Sequence, residues 1–387
     1  MDAIKIKKVF FTLFLVMISI QSAFAEMMEK GKTRVKTLLN LYAQDGHSGR
    51  QVIDESGIEH VKVIEPQIFV IHQITEDTEL NASFTLDSWT AESDTILDGV
   101  TGASGEGKKG QSRIAPNIGL RKEVGKSTFG VNLGFSSEYD YTSKSISLDA
   151  ERKFAEDNFT LGVSLQYYAD ELSLFKDLSP LASAQITEGF NRDIMAINVG
   201  ASQILTRKDI IELGAMLATS KGTLESTAGT VRVNGARTLE SLPDERERVA
   251  LTTKWVHAYD EFNALNFSYR NYFDDWGMKA HSVRAAHLIS LRDDLDFLEL
   301  AVRYHTQRAV DYYQDAFAGP KNFMTSDSDM NKFHSMEYSL MYSRNLEGLQ
   351  ILGINLEDCE ITNGLTYAER SNDMKYGYFQ TSLAFNF

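Results

Sequence analysis

The chain has 387 residues, with 39 Lys and Arg against 54 Asp and Glu, a net charge of −15 and 43% hydrophobic residues. A mean hydropathy of −0.26, without repeated apolar runs of about 18 residues, excludes a polytopic helical membrane protein. The acidic balance argues against nucleic acid as a partner, because phosphate binding needs concentrated Lys and Arg, and one Cys excludes a disulfide framework or a Cys-based zinc site.

Lys5, Lys7 and Lys8 precede the apolar run Val9 to Ile20, and Ala23-Phe24-Ala25 supplies small residues at a cleavage position. A positive start, a short apolar run and a small-residue site form a secretory signal, and the run is too short to span a bilayer. Residues 1–25 are therefore expected to be a signal peptide, and 26–387 the mature domain, more acidic by two charges once the signal is gone.

From residue 26 onward the chain alternates with period two, apolar on one face and small or polar on the other. Phe129, Val131, Leu133 and Phe135 alternate with Thr128, Gly130, Asn132 and Gly134. Phe159 to Tyr167, Leu298 to Tyr304 and Met336 to Tyr342 repeat the pattern. The segments run about 9–13 residues, the length a tilted strand needs to cross a hydrocarbon core. In chain order they predict about sixteen strands, give or take two: 36–44, 60–73, 78–90, 112–123, 127–140, 144–154, 158–170, 191–204, 209–219, 247–258, 262–273, 280–291, 295–307, 333–345, 361–370 and 377–387. Strand 60–73 alternates poorly and 280–291 only moderately.

Short connections at Thr75-Glu76-Asp77, Gly125-Lys126, Ala155-Glu156-Asp157, Thr206-Arg207-Lys208, Tyr259-Asp260-Glu261 and Arg292-Asp293-Asp294 alternate with long ones at 45–59, 91–111, 171–190, 220–246 and 308–332. Transmembrane barrels pair short periplasmic turns with long external loops. The 346–360 connection is an exception, long on the short-turn side. The last strand ends on Phe387 with Phe385, Leu383 and Phe379 on its face, and resembles the closing strand that barrel-assembly machinery reads in Gram-negative outer membranes. The expected fold is all-β: a single transmembrane antiparallel β-barrel in the outer membrane, with the lipid bilayer and that machinery as partners and a homo-oligomer allowed.

If the apolar face meets lipid, the opposite face lines a lumen. It carries Arg113, Arg121, Asp149, Glu151, Lys153, Arg270, Arg284, Glu299, Arg303, His305, Gln307 and Glu337. Such charges either pair to stiffen the wall or set the field met by a passing solute. A barrel of about sixteen strands is wide enough for water, so a porin-like channel for small polar solutes is the leading function. Adhesion or partner docking through the loops is the alternative, with aromatic Tyr312, Tyr313, Phe317 and Phe323 available, although these fit a membrane-interface girdle at least as well. A hydrolase built on His281, His287, His305 or His334 is less favoured, since no G-x-S-x-G or H-E-x-x-H string accompanies them.

Two motif-like stretches fail on inspection. Gly102 to Lys109 has most of a phosphate-binding loop, but Lys109 replaces the Ser or Thr and no helix follows. Asp327-Ser328-Asp329-Met330-Asn331 opens like a calcium loop, but Lys332 and Tyr338 stand where Gly and Glu are required. No cofactor and no metal are expected.

Three stretches, Asp98 to Ser104, Tyr269 to Gly277, and Arg303 to Gln307 leading to Tyr312-Tyr313, resemble a family of uncharacterised bacterial outer-membrane-barrel proteins classed only as a domain of unknown function. Gly105 and His305 depart from its pattern. The resemblance implies the barrel and no activity, and it singles out Asp98, Ser104, Asp274, Asp275 and Trp276 in loops, with Arg303 and Gln307 on a strand. Asp98, Asp274 and Asp275 are expected near one rim, where pairing with arginine could pin loops to the mouth; Arg303 is the arginine chosen to test this.

Overall fold

The structure is a computed structural model that describes residues 27–46, 59–92, 111–138, 140–175, 186–227, 229–291, 295–346, 349–351 and 354–387. The expected signal peptide lies outside these residues. β1 (Thr33–Gly46), β2 (Glu59–Thr75), β3 (Thr78–Glu92), β4 (Gln111–Val124), β5 (Ser127–Ser137) and β6 (Tyr141–Phe154) match the first six predicted strands. β7 (Phe159–Phe175), β8 (Ile186–Ile204) and β9 (Asp209–Gly222) follow. A small hairpin, β10 (Thr230–Val233) and β11 (Ala236–Leu239), precedes β12 (Glu245–Ala258), β13 (Asn263–Asp274), β14 (Lys279–Leu291) and β15 (Asp296–Gln307). The chain ends with β16 (Phe333–Leu346), β17 (Leu349–Ile351), β18 (Ile354–Arg370) and β19 (Met374–Asn386).

Sixteen strands close into one antiparallel barrel. Each pairs with the next barrel strand, β9 pairs with β12, β16 with β18, and β19 with β1. The closing ladder runs from Arg34 opposite Asn386 to Gly46 opposite Met374, and the backbones of Thr33 and Phe387 exchange both hydrogen bonds at 2.9 Å. Closure leaves no unpaired sheet edge, which a lipid environment requires. The only helical turn among the described residues is a 3-10 turn at Ser328–Met330.

Period two explains the two surfaces. Phe129 is 53% exposed, Leu213 53% and Leu365 56%, although large apolar side chains normally avoid water. They belong to a continuous outward face that includes Leu133, Leu148, Tyr167, Phe267, Val302, Leu340 and Phe379. This is the lipid band of a transmembrane barrel. Between these residues the alternate positions face inward, and among the described residues no single packed core exists. Val256, Ala264 and Leu288 form a small buried cluster on the inner wall, and two further clusters sit in the loops at the long-loop end.

The alternation of β2 is poor because apolar residues lie on both faces, Val63 and Phe69 on one and Ile64 and Ile68 on the other, and its ladder is also interrupted. Pro66 has no N–H to give, and the β2–β3 ladder pairs Ile64 with Ser88 and next Gln67 with Thr85. Pro116 interrupts the β4–β5 ladder in the same way, between Ile114 and Asn117, so proline costs local pairs without changing register. The turns are fixed by short-range bonds: Asp77 accepts from the Thr75 and Thr78 hydroxyls at 2.6 and 2.8 Å.

The structure departs from the sequence reading at the short-turn end. The 346–360 connection is not a loop throughout. β17 folds back on β18, which begins at Ile354 rather than 361. Glu357, Asp358 and Glu360 read as loop residues in sequence, yet they continue a ladder that shifts register between Glu357 and Glu360.

Candidate functional site: an arginine-lined wall and its loop cap

Alternating positions on neighbouring strands bring the sequence-selected charges inward, and four of the arginines pair with carboxylates across the ladder. Arg113 on β4 binds Asp87 on β3 at 2.5 Å. Lower on the same strands Arg121 binds Glu79 at 3.3 Å, both nearly buried. Arg284 binds Glu299 at 2.5 Å and Arg303 binds Glu337 at 3.5 Å. Tyr376 also donates to Glu337 at 3.2 Å. Asp149 accepts from Asn132 and Ser147 at 3.2 and 3.3 Å. Glu151 is buried and leaves Oε2 without a hydrogen-bond partner. Lys153 lies two positions further down the same inward face of β6, near the short-turn end.

Arg270 is different. It is exposed, sits opposite Thr252 and Ser282, and among the described residues has no carboxylate in ion-pairing distance. Arg248 on the neighbouring strand makes a bond of 2.9 Å to the neutral hydroxyl of Ser220, again without a carboxylate.

His305 and Gln307 form a neutral chain. Gln307 Nε2 donates to the backbone carbonyls of Asp329 and Asn331 at 2.8 and 2.7 Å. That turns Oε1 toward His305 Nε2, at 3.2 Å. His305 Nε2 therefore carries the proton, and Nδ1 accepts from Ser282 Oγ at 2.8 Å. A Ser–His contact is the geometry of an activated nucleophile, but the third group here is an amide and supplies no charge to stabilise an imidazolium. His281 and His287 face outward against the hydroxyls of Tyr269 and Tyr259, and the His334 ring lies beside Tyr304. The sequence-selected histidines are thus not gathered into one site.

At the long-loop end, residues 223–244 and 308–332 fold together into a cap. Phe317 N donates to Arg232 O at 2.8 Å and Asn234 N to Phe317 O at 2.9 Å, while Ser241 and Met324 exchange backbone bonds. Glu240 is buried between the two loops, accepting from Ser226 N and Oγ at 3.0 Å and from Thr325 Oγ1 at 2.9 Å. Val231, Phe317 and Met324 pack beneath the hairpin. Tyr313 donates to Asp315 at 2.6 Å; burial first, and then this carboxylate, push its phenol pKa up.

The cap is tied to the barrel at the Asp274-Asp275-Trp276 turn. Asp274, fully buried, receives Arg246 Nη2 at 2.5 Å and Nε at 2.9 Å, Tyr272 OH at 2.8 Å and Met278 N at 2.9 Å. Asp275 accepts from Glu247 N at 2.9 Å. Trp276 is 2% exposed, donates Nε1 to Glu245 O at 2.8 Å and lies 4.4 Å from the Arg246 guanidinium. Gly277 has φ +87°, and a Cβ there would meet the Asp311 carboxylate at 2.5 Å, so glycine alone fits the turn. Leu242, Trp276, Met278 and Val310 form the cluster that joins both loops to β13 and β14. On the far side, Asp329 binds Arg370 of β18 at 2.6 Å, and Asp327 caps the 3-10 turn through Asp329 N.

These contacts correct one expectation. The arginine that pins the rim is Arg246, whereas Arg303 pairs with Glu337 within the wall. The loop aromatics build the cap: Phe317 is buried and Tyr312 packs on Trp276 and Phe323. Asp98, Ser104 and the 102–109 stretch lie outside the described residues. Arg246, Arg248, Lys254 and Glu240 were not singled out from sequence. The alternation Glu245-Arg246-Glu247-Arg248 is the signal that could have found the first two, because it places both arginines on one face. No cluster of His, Cys, Asp and Glu able to hold a metal occurs among the described residues.

The fold is similar to a bacterial polysaccharide outer membrane secretin at 10% identity, covering 93% of this chain and 99% of that one with a TM-score of 0.49. It is also similar to a BenF-like porin from Pseudomonas fluorescens Pf-5 (9% identity, 92% and 99% covered, TM-score 0.46). A third likeness is to Pseudomonas aeruginosa OccK1, also called OpdK (6% identity, 92% and 98% covered, TM-score 0.43). Likeness at this level carries no inference about solute. No curated protein matches the chain. Residues 109–382 match the sequence pattern described as "Protein of unknown function (DUF3570)", which is most of the length and contains two of the three resembling stretches, and the chain belongs to the DUF3570 family.

Proposed function

We propose that the protein is an outer-membrane channel through which small polar solutes diffuse. The observation that carries this reading is the contrast between the two faces of one closed barrel: large apolar side chains outside, and small polar or charged side chains inside. Gly130, Gly134, Gly162, Gly200, Ser145, Ser147 and Asn198 occupy inward positions on β5 to β8, so that wall does not fill the lumen. A sixteen-stranded barrel whose interior is not filled by side chains encloses water. The cap leans on β12 to β16 and on β18, and it narrows the mouth from that side.

The expected location is the Gram-negative outer membrane, reached by way of the N-terminal signal and inserted through the closing strand that ends on Phe387. Both steps are part of the proposal, as is assembly into a homo-oligomer. In planar bilayers the purified, heat-modifiable barrel gives stepwise conductance. A folded barrel that gives no steps would end the reading. Conductance that stays unchanged while cell or partner binding is lost on deleting residues 223–244 would move the main role to the cap.

A further inference from the structure

The charges of the inner wall are not evenly compensated, and the excess lies in one place. Arg284 and Arg303 stand directly opposite each other on β14 and β15, and Arg270 stands two residues from the register partner of Arg284 on β13. Directly opposed residues are about 5 Å apart and diagonal ones about 7–8 Å, so three guanidinium stems rise from one patch. Glu299 balances Arg284 and Glu337 balances Arg303. No carboxylate among the described residues comes within ion-pairing distance of Arg270, or of Arg248 above it on β12, whose register partner Asp274 is already bound to Arg246. Lys254 and Arg246, on the same face of β12, each have their own carboxylate in Glu212 and Asp274.

A guanidinium stays protonated at any physiological pH, so this patch cannot relieve repulsion by losing a proton. Like charges on adjacent strands destabilise a sheet, and an oxyanion from solution removes that cost. Arginine presents a planar fork that matches a carboxylate through two parallel N–H···O bonds. Around Arg270 the lining adds hydroxyls rather than apolar bulk: Thr252 on one side and Ser282 on the other. Asp149 and Glu151 lie on β6, away from this patch, and their charge disfavours heavily charged polyanions in the same lumen.

We propose that Arg270, with Arg248 above and Arg303 beside it, forms a binding station for small organic carboxylates in the lumen. Resting on the channel reading, the proposal needs solute to reach the lumen, but not solute to pass through.

Calorimetric titration of the full-length barrel in detergent with succinate tests it. Wild type binds succinate saturably, Arg270→Gln weakens binding at least tenfold, Arg248→Gln weakens it less, and Arg270→Lys restores part of it. Lys153→Gln, on the other wall, leaves it unchanged. Heat-modifiability of every variant shows that the barrel is folded; should Arg270→Gln fail that test, Arg270→Lys and Arg248→Gln carry the comparison. Wild type that binds no succinate, or variants that bind it as tightly, overturn the proposal. Conductance recorded in parallel separates the two readings: binding without conductance supports the station and removes the channel, and conductance without binding removes the station alone.

Discussion

The β5 to β8 wall and the β12 to β16 wall are built on the same period of two and end as opposites. Along β5 to β8 the inward positions are largely Gly, Ser, Asn and Gln, and Gly200 has no atom within 4 Å of where a Cβ would stand. Along β12 to β16 long side chains stand among small ones: Arg246, Arg248, Lys254, Arg270, Arg284, Arg303, His305 and Glu337 face inward, with the cap seated on their upper end. Strand periodicity decides which residues face the lumen, and side-chain length on that face decides what the lumen is. One wall leaves room; the other supplies charge and anchors loops.

Substitutions should therefore act differently on the two walls. The largest effect belongs to the anchor. Asp274→Ala strands the Arg246 guanidinium in a buried setting and is expected to cost about 3–5 kcal/mol, read as a lower urea midpoint of the folded barrel. Trp276→Ala removes the aromatic that joins both loops to the rim, for about 3 kcal/mol, and faster proteolysis within 308–332 should accompany it. If both variants keep the wild-type midpoint, the cap is not held where described.

On the open wall the expectation reverses. A Cβ at Gly200 meets nothing within 4 Å, so Gly200→Gln should change stability by about 0.5 kcal/mol or less, while single-channel conductance falls because the side chain enters the lumen. Lowered stability with unchanged conductance would mean that the position is packed rather than open.

A further effect is pH-dependent. Glu138, just beyond β5 at the rim, has its carboxyl pushed up to about 7, first by burial and then by the Asp140 carboxylate. A raised folded-state pKa means that stability is full below the unfolded value near 4.3 and is lost as pH rises through about 7. Glu138→Gln should flatten the fall in unfolding midpoint between pH 5 and pH 8. An unaltered slope would assign that pH dependence to other groups.

Much of the barrel was legible in the sequence because every second residue of a barrel strand meets lipid, a constraint that repeats along the whole chain. What was not legible has physical causes. β10, β11 and β17 have four, four and three residues, too few for alternation to register. The predicted strand 247–258 begins two residues late, since β12 starts at Glu245, and that gap hid Arg246. Inward direction could be read for Arg113, Arg121, Arg284 and Arg303, but their partners Asp87, Glu79, Glu299 and Glu337 depend on cross-strand register, which no local pattern specifies. Glu240 lies in a loop whose fold depends on a second loop about 85 residues away.

The most direct measurement of the central claim is the reversal potential of single channels in a KCl gradient, comparing wild type with Arg248→Gln/Arg270→Gln. Stepwise currents are expected in both proteins, with a shift of the double variant toward cation preference, because the uncompensated positive charge of the lumen has been removed. Absence of steps, or one reversal potential shared by both proteins, would contradict it.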